Sequence, residues 1–156
     1  CLWVIEPEMK LSEIPETMKE LQHLSKPSLI KDSIKTPAYP PANLGSEPEH
    51  DWCYYFEKAD LAKQFGEWQK IVALGNEVEE MKLKPGDPFE LLPFIEGYAY
   101  TGDYLKAKDL SEVVKNDGRY GAEVCRVWTK IKNDDAFENI DLSTIDQIRE
   151  DLGCKQ

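Results

Sequence analysis

"FGEWQKIVAL" (residues 65–74) and "TGDYLKAKDL" (residues 101–110) decide how this chain is read. Aligned without gaps, the two stretches match Gly66 with Gly102, Glu67 with Asp103, Trp68 with Tyr104, Lys70 with Lys106 and Leu74 with Leu110, all 36 positions apart. Similarity at such a period marks stacked helical hairpins, in which neighbouring units bury faces that one unit cannot hide alone. Each copy reads as helix, glycine, acidic residue, aromatic, helix. The glycine takes the backbone turn that a side chain would block, and the ring after it fills the gap between two antiparallel helices.

Working outward, Trp52, Tyr55, Phe56, Ala59, Ala62 and Lys63 recur at helical spacing before the first glycine. Tyr54, Leu61 and Phe65 make a second stripe, so this helix is expected to be buried on more than one side. Ser46 and Pro48 are read as its cap and first turn. Burying one such ring contributes roughly 2–3 kcal/mol. The next helix is expected over Glu67–Leu83, with Trp68, Ile71, Val72, Gly75, Val78 and Met81 inward, and "KPGDP" (residues 84–88) as a turn. After "NDG" (residues 116–118), Tyr120, Val124, Val127, Trp128 and Ile131 carry helical spacing. Ser143 is read as the cap of a last helix that buries Ile145, Ile148 and Leu152 and ends at Gly153.

Upstream the texture differs. "CLWVI" (residues 1–5) reads as a short strand or a packed extended arm. "PETMKELQHL" (residues 15–24) offers Met18, Leu21 and Leu24 at helical spacing, with proline at the start. Residues 35–48 hold four prolines and read as an extended tether. The chain therefore divides into an arm, 1–47, and a helical body, 48–156. The body holds repeats at about 48–84 and 87–118, then a third or capping pair. The expected fold class is mainly α, with stacked antiparallel helical hairpins.

Thirty acidic residues against nineteen basic give a net charge of −11. Phosphate-tracking nucleic-acid binders need a basic stripe, so nucleic acid is not an expected partner. Adhesion to an anionic membrane surface is disfavoured on the same ground. The longest apolar run is five residues, against about 20 needed to span a bilayer. The chain begins with Cys rather than Met, which reads as a piece of a longer or processed protein. Cys1, Cys53, Cys125 and Cys154 have long, irregular spacings without C-x-x-C, unlike zinc ribbons. Reduced core residues or up to two disulfides fit equally, and all three full pairings stay open.

Candidate chemistry is sparse. His50 and Cys53 stand one turn apart, but zinc needs three or four ligands. A thiol inside an aromatic stripe reads as inert core rather than as a nucleophile. Glu57 and Asp60 form a carboxylate pair that suits acid–base work but reads more plainly as a wet helix face. Asp103 and Lys106 read as a surface ion pair. No catalytic signature, metal site or cofactor site is expected. The stronger candidate is the surface lined by the first helix of each pair: Phe56, Asp60, Lys63 and Gln64 in one copy, Leu92, Glu96, Ala99 and Tyr100 in the next. Two rings and mixed charge suit an extended peptide or a neighbouring domain. The alternative occupant is the chain's own N-terminal or proline-rich segment.

The repeated unit resembles the tetratricopeptide repeat. Tyr98, Gly102, Tyr104 and Ala107 match its pattern in the second copy, and Ala59, Gly66 and Trp68 in the first. Ile71 stands where that family has alanine, and the closing proline survives only loosely at Pro85. More widely, "EPEHDWCYYFEKADLAKQFGEWQKIVALGNEV" (residues 47–78) with "PFIEGYAYTGDYLKAKDL" (residues 93–110) resembles the soluble tail of bacterial multi-spanning membrane proteins. The membrane parts of those proteins are similar to glycosyltransferases that use lipid-linked sugars. The resemblance implies an α-solenoid tail outside the cytoplasm, appended to a membrane protein; it does not imply that this stretch catalyses sugar transfer, and a non-catalytic interaction domain is the leading expectation. Its implied partners are a protein or peptide segment, the membrane part of the same polypeptide, or a glycan. The second reading is an accessory domain that binds the acceptor carbohydrate. A freestanding hydrolase using Glu57 and Asp60 is a third.

Overall fold

Asp51 starts the first long helix of the body: its carboxylate accepts the N–H of Tyr54 at 3.3 Å, satisfying one donor the helix leaves open. The structure, a computed structural model, describes residues 1–7, 16–30, 49–134 and 141–154. Ser46 and Pro48 lie outside these residues, and the helix begins four positions beyond Pro48.

A short helix α1 (Glu16–Leu21) is followed by single 3-10 turns at Gln22–Leu24 and Pro27–Leu29. The body then runs through α2 (Trp52–Gln64), α3 (Trp68–Glu80), a 3-10 turn at Pro88–Leu91, α4 (Leu92–Tyr100), α5 (Tyr104–Asn116), α6 (Gly121–Lys132) and α7 (Leu142–Asp151). Among the described residues there is no strand. Residues 1–6 take no regular secondary structure, so the strand expected there does not form. Met18, Leu21 and Leu24 are about half exposed, so the apolar spacing of α1 does not bury a face.

α2 packs on α3 and α4. α4 touches α3, α5 and α6, and α6 touches α5 and α7. α5 also meets α7, and Lys106 of α5 reaches Glu79 of α3 at 2.7 Å. Every residue of α4 is buried, as a helix with neighbours on all sides requires.

The α3–α4 contact shows how the sequence sets the spacing. Trp68 stacks on Tyr100 with ring centroids 4.1 Å apart. A turn further along α3, a Cβ on Gly97 would lie 2.5 Å from Ile71 Cγ2. Beyond that, a Cβ on Gly75 would lie 2.6 Å from the Tyr98 hydroxyl and 3.2 Å from Phe94. Rising numbers on α3 thus meet falling numbers on α4, so the two helices run antiparallel, and at each close approach a glycine on one receives a side chain of the other. The turns before α3 and α5 use the same device: Gly66 at φ 67° and Gly102 at φ 87°.

Other expectations meet local differences. Met81 is half exposed, since it lies past the last residue of α3, whereas Leu74 is buried on that helix. Asp103 caps α5 by accepting the Lys106 N–H, and the Lys106 ammonium is drawn instead to Glu79. Asp141, not Ser143, caps α7: its carboxylate accepts both the Ser143 and Thr144 N–H groups. Ile145, Ile148 and Leu152 face the core as expected, and Gly153 ends the helix at φ 65°. Cys125 of α6 is bonded to Cys154 just past α7.

Candidate functional site

The groove-side residues of α2 and α4 meet around a bound segment, and that segment is the chain's own. Phe56, Asp60 and Lys63 of α2, with Leu92 and Glu96 of α4, surround one void together with Trp3 and Val4. Arg126 and Val127 of α6 close it. The remaining space is about 10 Å³, near the smallest that admits one water. Tyr100 turns away toward Trp68, with its hydroxyl donating to Asp134 at 2.8 Å. Gln64 is half-buried at the end of α2, and Ala99 is buried inside α4.

Residues 1–6 follow α2 from its first turn to its last. Cys1 is bonded to Cys53, the Leu2 N–H donates to Glu57 Oε1 at 3.1 Å, and Glu6 meets Lys63 at 3.0 Å. Helix rise from Cys53 to Lys63 is about 15 Å, and five extended residues span about 16.5 Å. The segment is thus long enough to run alongside α2 between its two anchors. Beyond Lys63, Gln22 donates to the Glu6 carbonyl at 2.6 Å, which fastens the segment to the turn after α1.

Trp3 is the central anchor. Its ring lies 4.6 Å from that of Phe89, and Phe89 in turn lies 5.4 Å from Tyr120. Its indole N–H donates to Glu90 Oε1 at 3.2 Å. Glu90 is 2% exposed. Its other oxygen accepts the N–H groups of Gly86 and Asp87, closing a capping box in which Asp87 accepts the Phe89 N–H. The carboxylate is thus held by the backbone through one oxygen, and the other faces the indole and the Cys1 ammonium 3.7 Å away. A buried carboxylate left without that donor would be costly.

The far end is a charge cluster. Lys63, nearly buried, sits 3.0 Å from both Asp60 and Glu6. Burial pulls the Lys63 pKa down, but the carboxylates of Glu96, Asp60 and Glu6 more than reverse this and raise it. Burial likewise acts to raise the Glu6 pKa, yet the charge and hydrogen bond of Lys63, with Arg126 and Lys130 behind it, hold it below the ordinary carboxyl value. Lys130 bonds Glu96 at 2.7 Å, and Arg126 bonds Glu123 at 2.7 Å.

The other candidate chemistry resolves differently. Cys53 is not a reduced core thiol but half of a disulfide, so it supplies neither a nucleophile nor a thiolate ligand. His50 stacks on Tyr54 at 3.5 Å. Glu57, an exposed residue, accepts the Leu2 N–H, while Asp60 is buried beside Lys63, so the pair divides between two tasks. Among the described residues, no group of three or more histidines, cysteines and acidic residues is placed to hold a metal ion. No described helix is long and apolar enough to cross a membrane.

Sequence reasoning missed Phe89, Glu90 and Arg126 as groove residues. The capping-box pattern Asp87-Pro88-Phe89-Glu90 was the available signal for Glu90. No protein family, curated protein or solved structure matches this chain.

Proposed function

We propose that this chain is a non-catalytic helical-repeat interaction domain of the tetratricopeptide-like kind, whose α2–α4–α6 face holds an extended peptide segment. The observation that carries this reading is the seating of residues 1–6 along that face, fixed by Trp3 at one point and Glu6 at another. Alternating contacts of the helices and the matched glycine turns at Gly66 and Gly102 support a repeat array.

The domain belongs outside the cytoplasm, as the tail of a bacterial membrane protein similar to glycosyltransferases that use lipid-linked sugars. All four cysteines are paired, and such bonds persist in oxidising compartments. Its partners are then a protein or peptide segment, or the membrane part of the same polypeptide. The second reading, binding of an acceptor carbohydrate, needs exposed rings to stack on sugar faces. Phe56 is 1% and Tyr100 6% exposed, which favours peptide over glycan.

Two measurements test the proposal. The reading frame upstream of Cys1 is expected to encode several spanning segments, and a start codon just upstream without them would overturn the tether. Titration of the isotope-labelled chain carrying Cys1→Ser, Trp3→Ala and Glu6→Gln, which frees the face, with cellohexaose is expected to leave the α2 and α4 amide shifts unmoved. Saturable shifts confined to that face would put the carbohydrate reading first.

A further inference from the structure

The segment in the groove shows what the groove recognises. It offers one carboxylate oxygen, on Glu90, to an indole N–H in an aromatic niche beside Phe89. It offers one buried ammonium, on Lys63, to a carboxylate three residues further along. Phenylalanine would fill the niche but take the indole hydrogen bond from Glu90 Oε1, leaving it only the Cys1 ammonium 3.7 Å away. Glutamine would reach Lys63 but add no charge beside Arg126 and Lys130. Both features belong to the groove, not to the segment.

We infer that this groove takes an extended partner peptide carrying a tryptophan and, three residues later, a carboxylate, with residues 1–6 as the built-in competitor. The inference rests on the interaction reading above and names its partner's chemistry. A tethered competitor acts at an effective concentration on the order of millimolar, and the Cys1–Cys53 bond holds one end in place besides. A free peptide therefore gains access only when the built-in segment is disabled or drawn away.

The test uses the full chain carrying Cys1→Ser, Trp3→Ala and Glu6→Gln, with helix content checked by circular dichroism. The probes are fluorescein-labelled peptides LWVIEP, LWVIQP and LAVIEP, read by anisotropy. The expected result is saturable binding of LWVIEP to the variant, at least tenfold weaker binding of the other two, and none to the oxidised wild-type chain. Equal binding of all three peptides would overturn the inference while leaving an interaction groove in place. Binding of none to a folded variant would overturn both, and equal binding of LWVIEP to wild type would place it outside the groove and overturn the inference. A second measurement does not depend on that variant folding. Trp3→Phe and Glu6→Gln, made singly, are each expected to speed reduction of Cys1–Cys53 by dithiothreitol severalfold, because thiol exchange needs access. Unchanged rates would show that neither contact holds the segment, and would overturn the inference.

Discussion

Replacing Gly97 with alanine tests whether α3 and α4 touch as closely as described. In an exposed helix this change stabilises by about 1 kcal/mol. Here the new Cβ would lie 2.5 Å from Ile71 Cγ2 and 2.8 Å from Ile71 Cβ. Apolar carbons rest at about 3.5–4.0 Å, and no rotamer change moves a Cβ. Ile71 is fully buried, so relief must come from parting the two helices. That would also loosen the Trp68–Tyr100 stack one turn away. Overpacking of this kind costs about 1–3 kcal/mol. The cost belongs at the upper end because backbone must move, which leaves a net loss of about 1–2 kcal/mol. With a urea slope of about 2 kcal/mol/M, the midpoint should fall by roughly 0.5–1 M at unchanged slope. Equilibrium urea unfolding of the oxidised protein, followed by circular dichroism, reads this directly. Combining Gly97→Ala with Ile71→Ala should recover about 1 kcal/mol relative to the sum of the single changes. A neutral or stabilising Gly97→Ala would refute the close approach.

Ser111→Ala should destabilise the protein by about 1–3 kcal/mol in the same unfolding assay, since it leaves the fully buried Trp128 indole N–H without the hydroxyl 2.9 Å away; a loss below about 0.5 kcal/mol would count against that bond. Hydrogen bonds from Thr144 and Ser143 lower the Asp141 pKa to about 2. A depressed folded value means that its contribution is complete above the ordinary carboxyl range and lost as pH falls through about 2. Protection of the Ile145 and Ile148 amides, taken as the exchange rate relative to the intrinsic rate at the same pH, should therefore fall toward pH 2, and Asp141→Asn should remove that acid dependence; an identical protection profile in the variant would contradict it. Mass mapping of a non-reduced digest should recover Cys1 with Cys53 and Cys125 with Cys154, and any other pairing would contradict the fold.

The helices were legible because their signals are local. Gly66 and Gly102, with the rings after them, mark turns whatever else surrounds them. The apolar spacing of α6 and α7 names Val124, Trp128, Ile145 and Ile148 without tertiary knowledge. The caps were less legible: Ser46 and Ser143 compete with Asp51 and Asp141 as starting points, and only the backbone path selects one. Groove residues on α2 and α4 follow from repeat position. Arg126 enters from α6, two helices away in the chain, and no local pattern relates it to Glu6. The cysteine pairing had the same difficulty, because Cys1 and Cys53 are joined across 52 residues whose path the sequence leaves open. That the groove holds residues 1–6 was one of two options, and what decides it is pairwise: a bound cysteine, an indole facing Glu90 and a carboxylate facing Lys63.

The seating of Trp3 tests this account most directly. Its ring lies 4.6 Å from the Phe89 ring, so a nuclear Overhauser spectrum of the oxidised protein should show strong cross-peaks between the two ring systems. Assigned but silent resonances, with the Trp3 indole at solvent-like shifts, would mean that the groove is open and residues 1–6 lie elsewhere.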